Sequence, residues 1–373
     1  MKRCFKMTLV LIIVIVLQGC NGSRQVLENL TLPLILGFDL DENNNLLIYL
    51  SGPIFSEEAK EKTEVYEVNS QTLYESRGKF DAKAIGLTTS GKLQIVLVGK
   101  KILQQDNWFQ LFDTLYRDPT FSANAKVVAV DGPVSDLINY HAKDKPRLAM
   151  QLIKKLETAN QRSITMKTTL QELHRQMFEK GLTPAITEIT KDQDIIIKGT
   201  SLLDMDGKYV TSLDIDNNKL LPMLQHPIKN ELSITMPIPE VDKTNSIFSS
   251  NKISFTLNKT SKKVKVNYLE DRFHFDINLK IPIYFKERLF LFDIKNNEKV
   301  MEKMIAEQLE IQFKNLISKF QEYEIDPIGL GLYARAYKYD AWKEVQDKWG
   351  QAFSKANIKV SVQIDIQDKG IIK

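Results

Sequence analysis

Leu93-Gln-Ile-Val-Leu-Val98 is the stretch on which the fold turns. A strand with one wet face alternates apolar and polar residues. This one is apolar almost throughout, so it reads as a strand covered on both faces. Lys126-Val-Val-Ala-Val130 reads the same way. Between them Ile102, Trp108, Phe109, Leu111, Phe112 and Leu115 recur at roughly helical spacing and predict a helix over 102–116. Gly132-Pro133 then opens a helix through Ile138. This β-α-β-α order predicts a parallel or mixed sheet with helices on its faces.

Toward the N-terminus, the apolar stretch Leu32 to Leu50 breaks at Asp39-Leu-Asp-Glu-Asn-Asn-Asn45. That is a hairpin signal. Asp39, Asp41 and Asn43 have calcium-loop spacing, but the loop lacks the glycine and glutamate such a site needs, so a plain turn is expected. Glu64 to Val68 reads as a strand and Ala82 to Leu87 as a brief helix ended at Gly91. Two more helices are expected at Arg147–Thr158 and Thr169–Glu179, the second closed by Gly181 and Pro184.

Near residue 190 the texture changes. Asp194 to Leu203 is strand-like, Asp206-Gly207 is a turn, and Leu220 to Leu224 is a short helix. Strands follow at Leu232–Met236, Ile253–Asn258, Val264–Asn267 and Phe273–Ile283. In the last, Phe273, Phe275, Ile277 and Leu279 alternate with His274, Asp276 and Asn278, as in a half-buried antiparallel strand. Asn297 to Gln321 is one long amphipathic helix, with a core stripe of Val300, Met301, Met304, Ile305, Leu309, Phe313, Leu316, Ile317 and Phe320. A second long helix is expected over Leu332–Trp349, and Ile358 to Ile366 alternates as a final strand. The expected organisation is α/β followed by α+β. A mixed-sheet domain over 20–190 precedes an antiparallel-sheet and long-helix domain over 191–373, with a sub-domain at 191–240.

Chemistry-bearing motifs are few. His141, His174, His226 and His274 are scattered, without metal-ligand spacing. No G-x-S-x-G is present, and the carboxylates form no recognisable acid/base pair. Gly329-Leu-Gly-Leu-Tyr-Ala334 matches G-x-G-x-x-A, but a long helix and Asp326-Pro327 precede it where a dinucleotide site needs a strand. It reads as a tight helix–helix connection, with Asp326 capping the second helix at an exposed N–H. No catalytic residue, cofactor or metal is assigned.

The N-terminus assigns a compartment. Lys2, Arg3 and Lys6 precede an apolar run from Met7 to Leu17, shorter than the roughly 20 residues of a membrane span. Residues 1–19 read as a signal peptide. They carry three of the positive charges behind the formal net +4, so nothing argues for nucleic-acid binding. Leu17-Gln-Gly-Cys20 resembles a bacterial lipobox, which implies a diacylglyceryl group on Cys20. The only other cysteine, Cys4, leaves with the signal, so no internal disulfide can form. Residues 21–31 are expected to be a tether.

The ordered set of segments resembles the Ger(x)C family of lipoprotein C subunits of spore-germination nutrient receptors. Those segments are Leu34-Ile-Leu-Gly-Phe-Asp39, Leu93–Gly99, Phe112-Asp-Thr-Leu-Tyr-Arg-Asp-Pro119, Lys126–Gly132, Ile197-Lys-Gly-Thr-Ser-Leu-Leu203 and Asp326-Pro-Ile-Gly-Leu-Gly-Leu-Tyr-Ala-Arg335. The last is the most specific. Asn21-Gly22 stands where the family often has Trp-Asp. The resemblance implies a multi-domain α/β lipoprotein that is not an enzyme. It would be anchored on the outer face of the spore inner membrane and partnered by integral-membrane A and B subunits. The competing class is the substrate-binding lipoprotein of a transporter, which usually has two similar lobes around a cleft.

Overall fold

The computed structural model describes residues 30–56, 58–141, 144–229, 231–239, 241, 250–294 and 296–368. The expected signal peptide, Cys20 and most of the tether lie outside these residues. Leu30–Thr31, the end of that tether, is strand β1.

The first sheet is built from β2 (Ile35–Leu40), β3 (Leu46–Pro53), β4 (Thr63–Asn69), β6 (Ile95–Gly99), β7 (Lys126–Val130), β8 (Ala185–Lys191), β9 (Ile195–Leu203) and β10 (Tyr209–Leu213). Their spatial order is β10-β9-β8-β7-β6-β2-β3-β4. β2, β6, β7 and β8 run parallel, and the flanking strands are antiparallel, so the sheet is mixed. Ile95 to Val98 are fully buried, as a strand covered on both faces must be. One face lies under α1 (Leu73–Asp81), α2 (Lys100–Leu103), the turn Trp108–Phe112, α3 (Asp113–Arg117) and α6 (Leu170–Phe178). The other lies under α4 (Val134–Ile138) and α5 (Leu148–Gln161). Strands β9 and β10 fall beyond the 190/191 division in texture, and their hydrogen bonds belong to this sheet.

Helix α7 (Ile215–Gln225) leads to the second sheet: β11 (Leu232–Pro237), β12 (Lys252–Leu257), β13 (Ser261–Leu269), β14 (Arg272–Arg288) and β15 (Asn357–Asp368). β12 and β13 lie end to end along one edge of β14, and β15 lies along the other. Phe273, Phe275, Ile277 and Leu279 are buried on one face of β14, while Asp276 and Asn278 are exposed. That face packs under α8 (Glu298–Glu322) through Met301, Ile305, Leu309, Phe313, Ile317 and Phe320. Val300 falls off the stripe and is half exposed.

The final strand differs from an antiparallel meander. β15 is parallel to β14, and the crossover runs through α8, α9 (Leu330–Tyr337), α10 (Tyr339–Val345) and α11 (Trp349–Ser354). On the edge of β15 away from β14, Glu310 accepts from the Val362 N–H at 2.7 Å. Glu302 does the same for the Ile366 N–H at 3.1 Å.

Three expected helices are corrected. Ala82–Leu87 is not helical. The helix lies earlier, at α1, where the N-cap Thr72 accepts from the Glu75 N–H and Glu75 in turn accepts from the Gln71 N–H. After it, Lys83 and Ala84 both donate to Phe80 O, and the chain pairs as β5 (Leu87–Thr88) with β1. The 102–116 segment breaks at Asn107, whose φ is +58°, and Trp108 then reaches Gly207 O at 2.6 Å. The 332–349 segment is three helical pieces, interrupted at Lys338 and at 346–348. The breaks carry Trp349 inward while Tyr337 stays exposed.

Candidate functional site

The most built polar site among the described residues is the junction of the two sheets. It centres on Asp326, which is fully buried. Helix α8 stops just before it. Oδ1 of Asp326 accepts from the Gly329 N–H at 2.8 Å. Oδ2 accepts from the Gly331 N–H at 2.9 Å and from the Trp349 indole at 2.8 Å. The main-chain oxygen of Asp326 accepts from Thr183 N–H at 3.0 Å, which ties the loop to the chain entering β8. Burial pushes the Asp326 carboxyl up from its ordinary range, and the donors from Trp349, Gly331, Leu330 and Gly329 pull it back.

Two glycines make this contact possible. Gly331 meets Gly181 backbone to backbone; a Cβ on Gly331 would sit 2.5 Å from Gly181 Cα and 2.8 Å from Trp349. Gly329 has φ +80°, a conformation that favours glycine. Around this buried centre runs a polar rim. Arg335 makes two hydrogen bonds to Glu179, at 2.9 and 3.1 Å, and Lys180 pairs with Asp347 at 2.6 Å. Gln225 donates to Pro327 O at 2.8 Å. Lys262 donates to the carbonyls of Leu224 and Gln225 and lies 4.9 Å from the Tyr333 ring centre. Burial lowers the Lys262 ammonium to about 8, against a small opposing effect of Asp326.

A cleft of about 430 Å³ opens beside the junction, lined from both sides by Thr165, Arg175, Gln225, His226 and Leu332 among others. Burial, then Lys262 and Lys229, hold His226 below its ordinary range. A second buried carboxylate, Glu188 on β8, accepts from Lys100 at 3.2 Å, from Ser201 at 2.6 Å and from Ser212. Lys319 of α8 donates to Ser212 O at 3.0 Å, a further tie between the sheets.

The arrangement does mechanical work. In the G-x-G-x-x-A segment, the N–H groups of Gly329 and Gly331, which a phosphate would need, are already taken by Asp326. A long helix precedes the loop, with no strand leading into it. Among the described residues no group of three or more His, Cys, Asp or Glu side chains is placed to hold a metal ion. Asp39, first of the calcium-spaced residues, is buried away from the turn, accepting from the N–H groups of Val134 and Leu40. Asp41 closes the turn itself by accepting from Asn43 and Asn45. Cys20 lies outside the described residues.

Comparison with known proteins bears on the whole chain. Residues 23–191 match the family model described as the spore germination protein N-terminal domain. Residues 198–370 match the one described as spore germination B3/GerAC like, C-terminal. The chain belongs to the Ger(x)C family of spore-germination proteins. Spore germination protein GerQC of Bacillus cereus is 20% identical over 365 residues, covering 97% of this chain and 98% of that protein. Spore germination protein B3 of Bacillus subtilis is 22% identical over 397 residues, covering both chains completely. The crystal structure of the GerBC protein superposes with a TM-score of 0.55 at 18% identity, over 89% of this chain and 96% of that one. The mixed α/β, two-part Ger(x)C architecture is thus shared at low identity.

Within this Ger(x)C chain, the segment Asp326–Arg335, read from the sequence as the most specific point of resemblance, is the segment that joins the two sheets. The sequence reading found Asp326 as a cap and missed Trp349 as its third donor. It also missed Gly181, which looked like a mere helix stop. The signal available was a second glycine-containing loop, with no sequence cue that the two would meet.

Proposed function

We propose that this protein is the lipid-anchored C subunit of a nutrient germinant receptor. It works by assembly and catalyses nothing. The observation that supports this reading is the Ger(x)C match over both halves of the chain, on a fold whose most built polar site is a structural lock. In this reading a diacylglyceryl thioether on Cys20 holds the protein on the outer face of the spore inner membrane. Stable attachment needs more than one acyl chain, which a diacyl or triacyl cysteine supplies. The integral-membrane A and B subunits are its partners. The folding units are 20–190 and 191–373, with strands β9 and β10 lent by the second to the first.

The transporter alternative calls for two similar lobes. Here one sheet has eight strands in mixed order and the other has five, four of them antiparallel and one added in parallel.

Deletion of the protein tests the reading. Loss or slowing of germination with one class of nutrient is expected, with the response to calcium dipicolinate intact and the A and B subunits depleted. Cys20→Ala should leave unprocessed precursor, take up no labelled fatty acid, and behave nearly like the deletion. Normal germination with every nutrient tested would overturn the receptor reading.

A further inference from the structure

We infer that the loop Ala82–Leu87 is an apolar wedge that rests in the lipid surface and sets how the anchored protein sits. The inference rests on the reading of Cys20 as the anchor. Ile85 is 89% exposed and Leu87 is 53% exposed. Tyr74, which lines the same apolar cavity as Thr88, is 70% exposed. A lone exposed leucine is ordinary on a soluble surface. Here two large aliphatic side chains stand outward within three residues.

The loop is held in that shape by its backbone. Thr88 N–H donates to the Asp81 carboxylate at 3.0 Å, and Lys83 and Ala84 N–H groups donate to Phe80 O at 2.9 and 2.7 Å. The main chain is therefore held at residues 83, 84 and 88, while the Ile85 side chain is almost wholly exposed and that of Leu87 about half so. Such a preformed wedge loses little ordering entropy when it inserts.

Its place in the chain selects lipid as the occupant. Leu87 is the β-sheet partner of Leu30, the first residue described. Nine residues lie between Cys20 and Leu30, which makes ten residue-to-residue steps. Whatever their conformation, ten steps span at most about 35 Å. A chain of this length has a radius of gyration of roughly 21 Å, so its body is wider than the tether can reach. The loop paired with the tether's end is therefore held toward the membrane, and the far side of the protein is not. The contact is apolar in kind. Lys79 and Lys83 direct their ammonium groups to the carbonyls of Asn69 and Glu67, at 2.8 and 2.7 Å. Glu75 and Asp81 lie nearby in sequence. Little salt dependence is expected.

The test uses the mature chain in protein-free phosphatidylethanolamine/phosphatidylglycerol vesicles. Ile85→Cys carries an environment-sensitive fluorophore, Lys265→Cys on the exposed side of β13 carries it as control, both in a Cys20→Ser background where the parent chain proves unacylated, and doxyl lipids are the quencher. Mass spectrometry of the parent chain reports separately whether Cys20 is acylated. Quenching at position 85 and none at 265, little changed by salt, is the expected result. Ile85→Ser with Leu87→Ser should reduce vesicle partition of the unacylated chain by roughly tenfold. An acylated chain unquenched at 85 overturns the wedge and leaves the anchor standing. An unacylated chain quenched at 85 upholds the lipid contact and removes the anchor. An unacylated, unquenched chain removes both. Protection of position 85 only in vesicles that hold the integral-membrane partners would assign the loop to a protein face and overturn the inference.

Discussion

In the first sheet Leu97 and Val98 point to opposite faces and both are fully buried; in the second Phe275 is buried while its neighbour Asp276 is exposed. The first sheet is clad in helices on both sides. The second carries α8 on one side only. A sheet covered twice holds a charge on its central strands only where partners are built for it, as at Glu188 and Asp39, while a sheet covered once tolerates it at every other residue. The two are then joined through a loop whose own carboxylate is buried.

The largest effect that would break this comparison comes from charge placement. Leu97→Asp, Val98→Asp and Phe275→Asp should each cost several kcal/mol, since each buries a carboxylate with no partner. Asp276→Asn should stay within about 0.5 kcal/mol. Urea unfolding of the four variants decides the matter. A tolerated Leu97→Asp would mean that the first sheet has an open face after all.

The junction comes next. Gly331→Val places a side chain where Gly181 and Trp349 already stand, and a cost of about 3 kcal/mol is expected. If the two sheets unfold in one transition, that transition should move down as a whole. A split into two transitions would show that the junction, and not either core, makes the molecule cooperative.

Asp326→Asn is a smaller change. The amide has one acceptor oxygen where the carboxylate has two, so at least one of Gly329, Gly331 and Trp349 loses its partner. About 1–3 kcal/mol is expected. The fluorescence of Trp349, measured in a variant lacking Trp108 and Trp342, should shift as its indole loses the carboxylate.

Smallest is a pH effect. Lys262 titrates near 8 in the folded chain and near its ordinary value in the unfolded one. Between those values the unfolded chain holds a proton the folded chain has released. Stability from this group should therefore rise as pH climbs through that window. Lys262→Met should flatten the rise. An unchanged slope would mean that the two carbonyls hold the ammonium charged.

Much of the fold was legible because burial writes itself into residue order. Continuous apolar runs marked β6 and β7, and alternation marked β14 and β15. What failed failed locally. Ala82–Leu87 has helix-compatible residues, but Thr72 and Glu75 start a helix earlier, the chain turns after Phe80, and Leu87 pairs with β1. The direction of β15 is not in its own residues at all, since alternation is the same in either sense. It follows from the crossover. At the junction, Asp326 was readable as a cap, while its burial depended on Gly181 and Trp349, which lie far away along the chain.

Glu302 and Glu310, reaching over the outer edge of β15, have a consequence for crowding. An unpaired edge strand is a template on which another chain can add, and from which fibrils can grow. The two carboxylates occupy the N–H groups of Ile366 and Val362, so an incoming strand meets negative charge where it would need to place its own carbonyls. Protein molecules packed side by side at high local density would face one another with these guarded edges. The same two glutamates that finish the fold leave a further strand fewer free N–H groups on this edge to pair with.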